Sequence, residues 1–227
     1  MTKEGERNVK SLIDRFLDLL FPPRCPFCRA ILKEHETRIC AGCLQTLPRV
    51  PLSLQRQTFR HIEACVSPLY YKDDVRSSLL RYKFGGLYTY SQAYADLMLD
   101  CLETNGIDAD LITWVPLSDK RLRKRGYDQA GLLADAIASR TDIPCARLLV
   151  KQKDTPPQSG IKSPEKRKTN VSGAYRPTDP DLAKGKTVLL VDDIATTGAT
   201  ISECARVLKA AGAKRVCAVS VARSVFH

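Results

Sequence analysis

The spacing of hydrophobic and polar positions changes twice along the chain, and the changes mark out its parts. Over residues 9–20, Leu12, Ile13, Phe16, Leu17, Leu19 and Leu20 fall mostly on one helical face, and Asp14, Arg15 and Asp18 on the other. This predicts an amphipathic helix that Pro22 and Pro23 stop. Its polar face is mixed in sign, which suits a docking helix better than a membrane-surface one. A Cys-rich stretch follows to about residue 47. Residues 48–64, with Pro48 and Pro51 among polar neighbours, read as a linker.

From residue 65 strand and helix patterns alternate. VSPLYY (66–71) and DLITWVPL (110–117) read as strands, and RLLVK (147–151) as a short one. Residues 74–84 and 90–104 read as helices parted by Gly85-Gly86, and 128–139 as a helix with Ala130, Leu133, Ala134 and Ile137 inward. TVLLVDD (187–193) is a continuous apolar run ending in two acids, as a buried parallel strand would be. A helix over 200–211, with Ile201, Cys204, Ala205 and Leu208 inward, and a strand VCAVSVA (216–222) complete the pattern. The alternation predicts an α/β domain with a mostly parallel sheet flanked by helices. The expected organisation is residues 1–62 for the helix, the Cys-rich module and the linker, and 63–227 for the α/β domain. Residues 152–172 are polar, aperiodic and longer than an ordinary connection.

Composition narrows the class. At 227 residues and 44% hydrophobic, the chain can bury a real core, which excludes wholesale disorder. No apolar run approaches the roughly 18 residues of a membrane span. The net charge of +11 favours an anionic partner such as nucleic acid, a phosphate ligand or an anionic surface. Residues 119–176 alone carry +8 of it. Nine cysteines are an odd number, and Met1 is followed by a polar stretch with no secretory character. The expectation is therefore a reducing, cytoplasmic setting, with cysteines as metal ligands or core residues.

Cys25-Pro-Phe-Cys28 and Cys40-Ala-Gly-Cys43 are two CxxC pairs. A two-residue spacer makes a tight turn that points both sulfurs at one ion, and two such turns complete the tetrahedral thiolate shell Zn²⁺ prefers. A closed shell leaves no position for water, so the expected zinc is structural, with metal binding supplying folding energy. His35, between the pairs, reads as a surface residue. Cys65, Cys101, Cys145, Cys204 and Cys217 are isolated and read as small core residues.

The acidic strand end holds the chemistry. Asp192 and Asp193 close a buried strand at its carboxyl end, where ligands bind in open α/β sheets. Ala195, Thr196, Thr197, Gly198, Ala199 and Thr200 follow, small and hydroxylated, running into a helix. Amides at a helix start, threonine hydroxyls and a glycine that permits close approach make a monophosphate cradle. Thr200 and Glu203 also have the spacing of a capping box. Two carboxylates for vicinal hydroxyls beside a phosphate cradle suit a phosphorylated ribose.

VLLVDDIATTGAT (188–200) resembles the phosphoribosyl pyrophosphate (PRPP) motif of type I phosphoribosyltransferases. Val115-Pro-Leu-Ser118 with Arg121, Arg123 and Arg125-Gly-Tyr-Asp-Gln129, and Thr155-Pro-Pro-Gln158-Ser-Gly160 with Arg167, Asn170-Val171 and Gly173-Ala174, resemble the ComF family of competence-related phosphoribosyltransferase-like proteins. The four-cysteine module completes that architecture, and the resemblance spans about residues 12–223. It implies a Rossmann-like type I phosphoribosyltransferase fold, with Asp192 and Asp193 as the catalytic pair on the ribose hydroxyls and 195–200 around the 5′-phosphate. By position it makes 117–128, with Arg121, Arg123 and Arg125, the pyrophosphate loop. It makes 152–172, with Thr155, Gln158 and Arg167, a closing lid. Mg²⁺ is expected with the PRPP. The family commonly has Asn where Asp128 stands.

The resemblance further implies a part in DNA uptake and natural transformation. The acceptor of any transfer is not identified: Thr196 stands where purine-salvage relatives place an acid, which disfavours purine transfer. Three roles remain open. The chain is a transferase that acts in transformation, a non-catalytic adaptor that binds single-stranded DNA and meets competence proteins such as a helicase, or a PRPP sensor without turnover. Arg121–Arg125 with Tyr127, together with the basic Cys-rich module, offer charge and stacking for a single strand. Tyr70, Tyr71, Tyr82 and Phe84 are the other aromatics near basic residues, with the core as their commoner fate.

Overall fold

The computed structural model describes residues 22–153 and 171–224. The predicted helix 9–20 and most of the 152–172 stretch, including Thr155, Gln158 and Arg167, lie outside the described residues. The chain divides into two compact units after Leu47.

In the smaller unit, Arg24 and Ile31 bridge across the first CxxC turn, and α1 (Ala41–Thr46) carries the last cysteine. The Glu36 carboxylate accepts from Lys33 N–H (2.9 Å) and Ala41 N–H (2.7 Å), tying the loop between the two pairs to the first residue of α1.

The larger unit begins earlier than the expected boundary at 62, because the stretch read as linker is held to the sheet. It contains α2 (Leu52–Gln55) and β1 (Arg56–Gln57), and β1 pairs antiparallel with β2 (Ala64–Val66). The Arg223 guanidinium donates to Leu54 O, and the Asn105 amide donates to Gln55 Oε1 at 2.7 Å. The strand expected over 66–71 is broken at Ser67-Pro68. Its halves, β2 and β3 (Leu69–Tyr70), both run parallel to β8 (Arg215–Arg223). The main sheet has the order β1-β2-β8-β7-β4, with β4 at Leu111–Trp114 and β7 at Thr187–Ala195. Every pair except β1–β2 is parallel.

Helices cover both faces, which is why β7 reads as an unbroken apolar run rather than an alternating one. α4 (Tyr90–Thr104) packs on β8, and α6 (Gln129–Ala138) on β4 and β7. α7 (Ala199–Ala210) lies with Val188, Leu190 and Val216 in a second core layer through Ile201, Cys204 and Leu208. The expected strand 147–151 is present as β5 (Leu149–Lys151) but does not join this sheet. It pairs antiparallel with β6 (Tyr175–Pro177) in a separate two-stranded ribbon. α3 (Asp73–Phe84) buries Val75, Ser78, Leu79 and Tyr82 at helical spacing and delivers its last turn to the carboxyl end of the sheet. A helix that the apolar pattern does not foretell, α5 (Asp119–Arg125), follows β4.

Candidate phosphoribose site and zinc module

A cavity of about 660 Å³ opens at the carboxyl ends of β4 and β7. Its lining includes Asp192, Asp193, Thr196, Gly198, Thr200, Arg121 and Arg125. The acid pair and the threonine turn predicted from sequence thus share one cleft. Asp192 and Asp193 lie inside the last residues of β7, which runs on to Ala195.

The turn owes its shape to Gly198, the N-cap of α7, whose φ of 70° suits glycine and strains other residues. The first helical bond runs from Ser202 N–H to Gly198 O (2.8 Å), so the amides ahead of it have no helical acceptor. The Thr197 hydroxyl is buried and has no hydrogen-bond partner among the described residues. A buried orphan hydroxyl at a helix start is what a bound phosphate oxygen would satisfy. The capping box expected between Thr200 and Glu203 does not form. The N-cap is Gly198, and Glu203 spends its carboxylate on Gly173 N–H (2.8 Å) and on a two-toothed pair with Arg206 (2.8 and 2.9 Å).

The acid pair is asymmetric. Asp192 Oδ1 accepts from Asp193 N–H at 2.8 Å. Burial of its carboxyl, reinforced by the Asp193 charge, pushes its pKa up to about 8. Asp193 Oδ2 instead meets the Lys83 ammonium at 2.9 Å. Lys83 has no place in the sequence reading, and no local motif marks it.

Asp128 serves the architecture. As N-cap of α6 it accepts from Gly131 N–H (3.3 Å) on one oxygen, and from Leu117 N–H (3.1 Å) and Trp114 Nε1–H (3.3 Å) on the other. It therefore fastens the loop after β4 to the helix that follows. Burial raises its pKa, against the pull of these three donors.

Of the three arginines expected for pyrophosphate, Arg121 and Arg125 line the cavity, joined by Lys124, whereas Arg123 is exposed and lies outside the lining. The cause is helical. Ser118 caps α5 by accepting from Arg121 N–H (3.4 Å) and Gly126 ends it at φ 80°, so residues two apart point to different sides. The Arg125 guanidinium lies 4.8 Å over the Phe84 ring and donates to Gln129 Oε1. Tyr82 is buried, as expected of a core aromatic, but Phe84 is 69% exposed at the cavity rim. Lys151 and Tyr175, from the ribbon, complete the rim.

In the smaller unit the sulfurs of Cys25, Cys28, Cys40 and Cys43 all lie within 4.8 Å of one another. Tetrahedral zinc with Zn–S bonds of about 2.3 Å needs sulfurs roughly 3.8 Å apart, so the set fits. His35 is exposed and stands outside this group. Cys65, Cys101, Cys204 and Cys217 are buried and Cys145 half-buried. Burial raises the pKa of all five thiols, keeping them protonated and inert.

Residues 126–225 match the phosphoribosyl transferase domain family, and residues 16–53 the double zinc ribbon domain family. Competence protein F of Haemophilus influenzae is 27% identical over 228 residues, covering 88% of this chain and 97% of that protein. Competence protein ComFC of Streptococcus pneumoniae is 30% identical over 215 residues, covering 85% and 91%. The DNA utilization protein YhgH of Escherichia coli is 27% identical over 197 residues, covering 85% and 80%. These matches bear out the phosphoribosyltransferase fold with a four-cysteine zinc module at its amino-terminal side. Among the described residues no helix is long and apolar enough to cross a membrane.

Proposed function

The chain belongs to the ComFC family, and from that premise we propose that it binds a phosphorylated ribose, as PRPP, in the cavity beside Asp192 and Asp193, and that it takes part in DNA uptake. The observation that carries this reading is the meeting of the acid pair with a helix-start turn holding a buried, unpartnered threonine hydroxyl. On this reading the two acids take the ribose hydroxyls. The turn 196–200 takes the 5′-phosphate through amides and the Thr197 hydroxyl. Arg121, Lys124 and Arg125 face the pyrophosphate, for which paired guanidinium contacts are suited. Mg²⁺ accompanies the pyrophosphate and neutralises part of its charge.

Calorimetric titration with Mg-PRPP tests this reading. Wild type binds, and the Asp192→Ala/Asp193→Ala protein loses at least about tenfold in affinity, or 1.4 kcal/mol. No detectable binding by wild type would overturn it. Pyrophosphate release is the readout that separates a transferase from a ligand-responsive adaptor.

Contact with single-stranded DNA is the second part of the proposal, favoured by an exposed Phe84 carrying Arg125 on its face at the mouth of a basic cleft. Binding then weakens steeply with salt, and the slope falls when Arg121, Arg123 and Arg125 are neutralised together. Salt-insensitive binding would count against it.

A further inference from the structure

Lys83 lines the cleft but lies outside the sequence motifs named above. Its ammonium lies 2.9 Å from Asp193 Oδ2, and the two side chains are only 18% and 14% exposed. A pair this enclosed interacts far more strongly than one at the surface. Its placement is fixed from both sides. The preceding residue, Tyr82, is fully buried, its hydroxyl donates to Gln129 O (2.8 Å), and its own carbonyl accepts from the Tyr127 hydroxyl. The last turn of α3 is thereby bolted to the start of α6, and Lys83 is held against the end of β7.

The other acid of the pair is managed differently. Asp192 is held largely protonated near neutral pH by burial, and it accepts the Asp193 amide. The floor of the cleft therefore holds one carboxyl that burial favours in its neutral form beside the Lys83–Asp193 ion pair. Arg121, Lys124, Arg125, Asp128 and Lys151 are the other charged residues lining the same cleft. A divalent cation seated on the acid pair would meet the Lys83 ammonium 2.9 Å from the oxygen it needs, so the side chains as placed do not fit one there.

We propose that Lys83 supplies from within the protein the positive charge that the acid pair needs, so that a phosphorylated ribose binds at Asp192 and Asp193 without a divalent cation. This rests on the phosphoribose reading above and adds to it a residue and a metal independence. Mg²⁺ is then a companion of the pyrophosphate group alone, and a ligand without that group has no need of it.

The test is titration with ribose 5-phosphate, which lacks the pyrophosphate, in Mg²⁺-free buffer and in excess Mg²⁺. No chelator is used, so that the zinc module keeps its metal. Wild type is expected to bind equally well in both buffers. Lys83→Met loses at least about tenfold without Mg²⁺ and regains part of that loss when Mg²⁺ is added, whereas Lys83→Arg stays close to wild type. A wild type that needs Mg²⁺, or a Lys83→Met protein that binds normally without it, would overturn the inference. The wild-type comparison stands even if Lys83→Met fails to fold. Absence of wild-type ribose 5-phosphate binding in both buffers by a protein that binds Mg-PRPP would overturn this inference alone, and absence of Mg-PRPP binding as well would overturn the phosphoribose reading and this inference with it.

Discussion

The ring of Phe59 fills the space that a side chain at position 198 would need: a β-carbon on Gly198 would fall 2.3 Å from it. The stretch that reads as a linker therefore braces the threonine turn, the proposed phosphate site, from behind. Gly198→Ala meets two penalties, the φ of 70° and the Phe59 ring. The first alone costs about 1–2 kcal/mol. Gly198→Ala is expected to lower the melting temperature by several degrees and to weaken ribose 5-phosphate binding. Adding Phe59→Ala recovers the clash component and leaves the backbone component. A double mutant no better than Gly198→Ala in both readouts would show that the ring is not a brace.

Stability is expected to fall as pH rises from about 4 to about 8. The Asp192 carboxyl keeps its proton up to about 8 in the folded chain, whereas the unfolded chain releases it near 3.9. The folded state binds the extra proton in that window, so its advantage is complete below the window and lost as pH climbs through it. Asp128, also raised by burial, acts in the same direction. Denaturant unfolding at pH 5, 7 and 9 should show a loss on the order of a few kcal/mol. Asp192→Asn should flatten the slope without abolishing it. An unchanged slope would remove Asp192 as its source.

Zinc removal should act on one unit. The four thiolates are the ligands of the module that ends at Leu47, and such modules draw their folding energy from the metal. A strong chelator is expected to make these cysteines reactive and residues 22–47 sensitive to protease. The unfolding transition of the larger unit should persist. Loss of both together would show that the larger unit depends on the module.

Asp128→Ala strands three donors: Trp114 Nε1–H, Leu117 N–H and Gly131 N–H. Leaving a fully buried donor unpaired costs about 1–3 kcal/mol and loss of a cap about 1; Trp114 and Leu117 are half-buried, where water can replace the lost oxygen, so a total of roughly 2–4 kcal/mol is expected. Asp128→Asn should fall between, since an amide has one acceptor oxygen where the carboxylate has two. Trp114 is the single tryptophan, so its fluorescence reports both unfolding and any local release of this loop.

What the sequence made legible follows the range of the interactions. β7, the acid pair and the threonine turn lie in one continuous stretch, and the cysteine pairs carry their geometry in their spacing, so both could be read locally. Lys83 and Phe59 could not, because each reaches its partner across more than a hundred residues of chain. The Thr200–Glu203 box failed for the complementary reason: a local capping rule yielded to Gly173 N–H and Arg206 as partners for the carboxylate. α5 escaped because Arg-Leu-Arg-Lys-Arg shows no apolar stripe, and its signals are a serine cap and a glycine stop. The separation of Arg123 from Arg121 and Arg125 follows from that unread helix.

The β5–β6 ribbon has a consequence for how this protein can change over evolution. Lys151 pairs with Tyr175, and Gln152 N–H donates to Ala174 O at 2.8 Å, so the chain departs from and returns to a single point at the cavity rim. The motifs within residues 155–174 that carry the family resemblance lie between these two strands in the chain, so change between relatives is expected to spare the ribbon together with the motifs it brackets.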